Sequence, residues 1–90
     1  MNKSELAKEV ARRAGLTQVA AAAAVTATFA VIEDALARGE DVTYKGFGTF
    51  QRRYRKGHRK VDPRNHEEVN VPAKHVPFLK AGKSLKERVS

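Results

Sequence analysis

From Thr17 to Ile32 the chain runs for 16 residues without a single charged side chain. Val25, Phe29, Ile32 and Leu36 follow one another at spacings of 4, 3 and 4 residues, which is one apolar seam of a helix. Ala20 to Ala24 and Ala27 fill the other sides with small residues of high helix propensity. A helix on a domain surface usually keeps a charged face, and this run carries no charge at all. Most of its circumference is therefore predicted to be buried. The chain has 90 residues, enough for one domain but too few to surround a helix on every side. It has no cysteine, so no disulfide can compensate for a thin core. The stabiliser left is a second subunit, and a self-associating dimer is expected.

The flanking pattern gives an α+β order. Asn2 or Ser4 can cap a first helix, with Leu6, Val10 and Ala14 at i, i+4 and i+8 and Gly15 as its stop. Thr17 can cap the second, which is expected to run to about Arg38, before Gly39. Val42 and Tyr44 then alternate with polar residues, as in a short strand. Gly46-Phe47-Gly48 interrupts that pattern with a turn or bulge, and Thr49 to Tyr54 resumes it. Phe47 and Phe50 are three apart, which strict alternation does not accommodate. Arg55 to Glu68 is polar throughout, and Asp62-Pro63-Arg64-Asn65 suits a β-turn. With Val69 and Val71 on the return, the segment reads as a long hairpin projecting from the body. Pro72 and Pro77 are expected to limit pairing of the return strand. Gly82 to Val89 reads as a closing helix. The expected organisation is a single domain, 1–90: a helical dimerisation half to residue 40, strands and arm over 41–80, and a closing helix over 82–90. The arm itself is expected at about 53–76.

The net charge of +8 is unevenly placed. Residues 1–50 balance six cations with six carboxylates, whereas residues 51–90 set twelve cations against four. A neutral half joined to a strongly basic half predicts a binding face for a polyanion. Arg53 and Arg55 share one side of the outgoing strand, and a two-stranded ribbon of this kind fits a DNA groove. Pro63 at the tip offers a rigid apolar wedge without a backbone donor.

Other readings fare worse. A helix-turn-helix needs polar side chains at the start of its second helix, but here Gln18 is followed by Val19 and five alanines. His58, His66 and His75 match no metal spacing, and Glu67 and Glu68 are adjacent, so on a strand they face opposite ways. No phosphate-cradling glycine motif is present. No enzyme, cofactor, metal or small-molecule substrate is expected. The start of the chain is polar, and the stretch from Leu16 to Ile32 reads as too short and too polar to span a bilayer, so no membrane partner is expected.

The ordered series Met1-Asn2-Lys3-Ser4-Glu5-Leu6, Ala14-Gly15-Leu16, Gly46-Phe47-Gly48-Thr49-Phe50, Pro63, Val76-Pro77 and Gly82-Lys83-Ser84-Leu85-Lys86 resembles the HU family of bacterial histone-like proteins along the full length. The resemblance implies an intertwined homodimer with a helical body, a three-stranded β saddle and extended hairpin arms that embrace the minor groove. It implies that Lys3, Arg53, Arg55, Lys80, Lys83 and Lys86 face phosphate and that Pro63 is the wedge. His58, Arg59, Lys60, Arg64 and Lys74 complete the expected DNA-binding set. Val25, Phe29, Ile32, Leu36, Phe47, Phe50 and Leu79 are the expected core and dimer interface. The arm departs from the family: Val61-Asp62 stands where Arg-Asn is usual before the proline, and His66 where the tip has glycine. The expected function is binding, bending and compaction of double-stranded DNA with little sequence preference, in a cytoplasmic nucleoid. The alternatives are an integration-host-factor-like subunit with sequence preference, or a basic RNA-binding or ribosome-associated protein.

Overall fold

A computed structural model describes residues 1–90, which divide into two units, Met1–Asp34 and Ala35–Ser90. In the first unit, helix α1 spans Lys3–Ala14. The Asn2 side chain caps it by accepting from the Glu5 N–H at 2.9 Å, and Gly15, at φ 68°, returns its own N–H to the Ala11 carbonyl. Glu9 accepts hydrogen bonds from both Arg12 and Arg13, about one turn on. These bonds, Arg12's first, hold its carboxyl below the usual carboxylate range, and the same contact raises Arg12.

Helix α2 spans Gln18–Ala37 and crosses the unit boundary. Thr17 Oγ1 caps it by accepting from the Ala20 N–H at 3.1 Å. The helix continues through Glu33 and Asp34 to Ala37, so it reaches 20 residues. By length and composition alone it could therefore cross a membrane. The helix outlasts the uncharged run that ends at Ile32 and stops at Ala37, close to the expected Arg38.

The second unit holds two separate antiparallel sheets. Strands β1 (Val42–Tyr44), β2 (Gly48–Arg55) and β5 (Lys74–Ala81) form one in the order β1-β2-β5. Strands β3 (His58–Val61) and β4 (Glu68–Val71) form the other. The Phe47 N–H closes the β1–β2 turn on the Tyr44 carbonyl at 3.0 Å. Phe47 therefore lies in the turn and Phe50 in the strand, which accounts for their three-residue spacing; their rings stack with centroids 6.4 Å apart. Gly48 is required by contact: a Cβ there would lie 2.5 Å from the Lys80 carbonyl oxygen of β5.

The expected continuous arm of 53–76 divides. The β2–β5 ladder runs to Arg55↔Lys74, breaks across Lys56-Gly57 and Pro72-Ala73, and resumes at His58↔Val71. Gly57 sits where a Cβ would be 2.7 Å from the Val71 carbonyl oxygen. Pro77 does not limit the ladder as expected. It pairs with Arg52 inside β5, an edge strand, where a missing N–H can be tolerated. Helix α3 spans Lys83–Val89 and closes the chain.

The burial pattern is that of an incomplete core. Only Ala7, Ala11, Ala21, Val25 and Ala35 are buried among apolar residues, and no large side chain is fully buried. Ile32, Leu36 and Phe50 are half-buried, while Phe29, Phe47 and Leu79 are exposed by 47%, 40% and 40%. Isolated exposed apolar residues are ordinary, but a chain whose aromatics all lack full cover is not.

Candidate nucleic-acid interface

Side chains alternate across a strand, and directly opposed residues of an antiparallel ladder share a face. The register therefore sorts the three-stranded sheet. Thr43, Thr49, Gln51, Arg53, Arg55, Lys74, Val76, Phe78 and Lys80 lie on one face. Val42, Tyr44, Phe50, Arg52, Tyr54, His75, Pro77 and Leu79 lie on the other. The apolar residues expected in the core, Phe50 and Leu79, are thus directly opposed on the second face. Four of the expected cations, Arg53, Arg55, Lys74 and Lys80, share the first, and no carboxylate stands among them.

Two of these side chains are arranged by neighbours. The Arg53 guanidinium lies 3.5 Å over the centre of the Phe78 ring, and its Nε donates to Gln51 Oε1 at 3.4 Å. Thr43 and Thr49 join their hydroxyls at 3.1 Å across β1 and β2. Arg55, Lys74 and Lys80 have no carboxylate within 4.0 Å and remain available to an anion. On α3, Lys83 approaches Glu87 at 3.9 Å and Lys86 is unpaired; Lys3, at the start of α1, is unpaired as well.

Arg52 does something different. From the second face, its Nη1 donates to the Ala37 carbonyl at 3.3 Å. Helix α2 has no basic residue in its last turn, so Arg52 supplies the cation that a helix C-terminus favours.

The hairpin is electrostatically unlike the sheet. Residues 58–71 balance Arg59, Lys60 and Arg64 with Asp62, Glu67 and Glu68. Arg59 lies 3.6 Å from Glu68, and Arg64 lies 3.7 Å from Asp62. Pro63 is exposed at the tip. The expected β-turn over Asp62–Asn65 is wider than drawn: the His66 N–H reaches the Asp62 carbonyl, and the Asp62 N–H reaches the Glu67 carbonyl, both at 2.9 Å. His66 takes φ 58°, a left-handed conformation, and is the only non-glycine residue to do so. His58 opens β3 opposite Val71, and His75 packs against Tyr54 with centroids 5.4 Å apart. No three His, Asp or Glu side chains come together in a metal-binding group.

Thr43, Thr49, Gln51 and Phe78 belong to the basic face but are absent from the residues expected from sequence. Their signal was parity: Thr43, Thr49 and Gln51 each lie an even number of residues from Arg53, and Phe78 is the ladder partner of Gln51. Using it required the β1–β2–β5 register.

A carboxylate-free sheet face of exposed cations, continued by a two-stranded hairpin, can hold a row of phosphates while a ribbon follows a groove. That is the surface of a nucleic-acid-binding protein. The chain matches the family described as bacterial DNA-binding protein over residues 1–90, and it belongs to that family. It is 44% identical over 89 residues to the DNA-binding protein HU of Staphylococcus aureus, covering 99% of both chains. In solved structures it is similar to an Anabaena HU–DNA cocrystal structure, with a TM-score of 0.93 and 40% identity over 100% of this chain and 98% of that one. HU from Thermotoga maritima is similar at a TM-score of 0.71 and 33% identity, with full coverage of both.

Proposed function

We propose that two copies of this chain form a homodimer that binds double-stranded DNA with little sequence preference, bends it and compacts it. The observation that carries this reading is the sheet face bearing Arg53, Arg55, Lys74 and Lys80 without a carboxylate, in a chain whose family is DNA-binding. Phosphate contacts of this kind position a duplex and read no bases. Lys3, Lys83 and Lys86 add further phosphate ligands, while His58, Arg59, Lys60 and Arg64 follow the groove with the arm. Pro63 enters a base step as the wedge. Residues 1–40 serve dimerisation, 41–80 carry saddle and arm, and 82–90 close the fold. The protein acts as an architectural component of the nucleoid, in the cytoplasm, and not as an enzyme.

Dimerisation is supported by the uncovered side chains of Phe29, Phe47 and Leu79 and the nearly uncharged circumference of α2. A second copy covers that circumference without any need for a bilayer. Obligate pairing also distinguishes this reading from a ribosome-associated one, which does not require it.

The test is a duplex of about 30 base pairs labelled at both ends, titrated with protein while energy transfer and anisotropy are read together. Tight binding with rising transfer, resisted by structured RNA only at large excess, supports the reading. Preference for the RNA, or binding without any change in transfer, would overturn it.

A further inference from the structure

Asp62 is the one residue between Arg52 and Asn70 that is not exposed. It also makes four separate contacts within the loop. Its backbone N–H donates to Glu67 and its carbonyl accepts from His66, each at 2.9 Å. Its carboxylate Oδ1 accepts the Arg64 N–H at 2.9 Å, two residues on, closing an Asx turn around Pro63. The same oxygen lies 3.7 Å from Arg64 Nε. A second such turn follows, in which Asn65 Oδ1 accepts the Glu67 N–H at 3.0 Å. Pro63 lies between Asp62 and Arg64, so the side-chain bond spans the wedge itself.

A carboxylate at the tip of a DNA-binding arm is electrostatically unfavourable, since phosphates repel it. Its bonding explains what it does there. We propose that Asp62 is a positioning residue: its carboxylate oxygen fixes the Pro63 ring in the orientation that enters a base step. The proposal rests on the DNA-bending reading above and adds which residue aims the wedge. Proline fixes only its own φ. The direction in which the ring points depends on the peptide planes on either side, and the Asp62–Arg64 bond holds both. A preset wedge does not have to be ordered when DNA binds, which is the general benefit of preorganisation.

Asp62→Asn and Asp62→Ala separate charge from geometry. Both remove one negative charge per arm and both release Arg64, so both should tighten binding, by about twofold per arm. Only the asparagine keeps an oxygen able to accept the Arg64 N–H. Two measurements on the intact dimer follow. Without DNA, hydrogen exchange of the Arg64 amide should stay slow in wild type and Asp62→Asn and become fast in Asp62→Ala. With DNA, energy transfer between duplex ends at saturating protein should match wild type for Asp62→Asn. For Asp62→Ala it should fall toward the value for Pro63→Ala, despite tighter binding. Equal Arg64 exchange in all three proteins would overturn the positioning role whatever the DNA does. Altered exchange with an unchanged bend would confine Asp62 to the free arm and refute its part in bending. A wild-type protein that did not bend DNA would refute the underlying reading, while the exchange data would still report on the tip.

Discussion

Arg53 lies over Phe78, its diagonal neighbour across the β2–β5 ladder, with the guanidinium 3.5 Å from the ring centre. The contact fixes a long, flexible cation on an otherwise open sheet face. At an exposed site such a pair contributes about 0.5–1 kcal/mol. Phe78→Leu should therefore weaken DNA binding by roughly two- to fivefold although Phe78 carries no charge, and should have little effect once Arg53 is already alanine. A double-mutant cycle on a fixed duplex measures this. Additive losses would show that the stacking has no bearing on binding.

Salt dependence should separate sheet from arm. Removing one phosphate-neutralising cation lowers the slope of log affinity against log salt by roughly 0.9. Lys80→Ala removes an unpaired cation from each subunit and should lower the slope by about twice that in a dimer. Arg59→Ala removes a cation already facing Glu68, and the slope should change little. The reverse order would place the electrostatic grip in the arm.

Association should be inseparable from folding. Phe47 is 40% exposed in one chain and stacks on Phe50. If a partner covers it, Phe47→Ala should cost about 3–5 kcal/mol. The melting temperature of the wild type should rise with protein concentration. A melt independent of concentration, with a monomeric mass by light scattering, would contradict this.

Acid should loosen the first helix by a defined route. Glu9 has its carboxyl lowered in the folded chain by Arg12 and Arg13, so its contribution is present above its ordinary value of 4.5. It is lost as pH falls through the lower folded value. The group is exposed, so the effect is small. Glu9→Gln should flatten the fall of melting temperature below about pH 5 relative to wild type. Parallel curves would show that the Glu9 ion pairs have no bearing on stability.

The helical elements were legible because their signals are local. Asn2, Gly15 and Thr17 each act within four residues of their own position, and each does what its residue type favours. The basic face was only partly legible. Arg53 and Arg55 announce one strand face by parity, but Lys74, Lys80 and Phe78 join them only through a ladder partner some 25 residues away. Arg52 shows the other limit. No local signal sends one arginine of an adjacent pair to a helix end, because the Ala37 carbonyl comes within reach only in the folded unit. At the arm tip, sequence located the turn correctly but not its width, since the deciding bonds run from Asp62 to both His66 and Glu67.

The break at Gly57 and Ala73 has an evolutionary consequence. Because β3 and β4 pair only with each other, a change in either leaves the register of the other sheet untouched. Substitutions between residues 58 and 71 are therefore judged by the DNA and scarcely at all by the fold. A change of charge or shape in the arm thus need not disturb the β1-β2-β5 ladder of the body that carries it. His58, Val61, Asp62 and His66, where this chain parts from the HU pattern, fall inside that segment, whereas Leu79, which also departs from it, lies in β5.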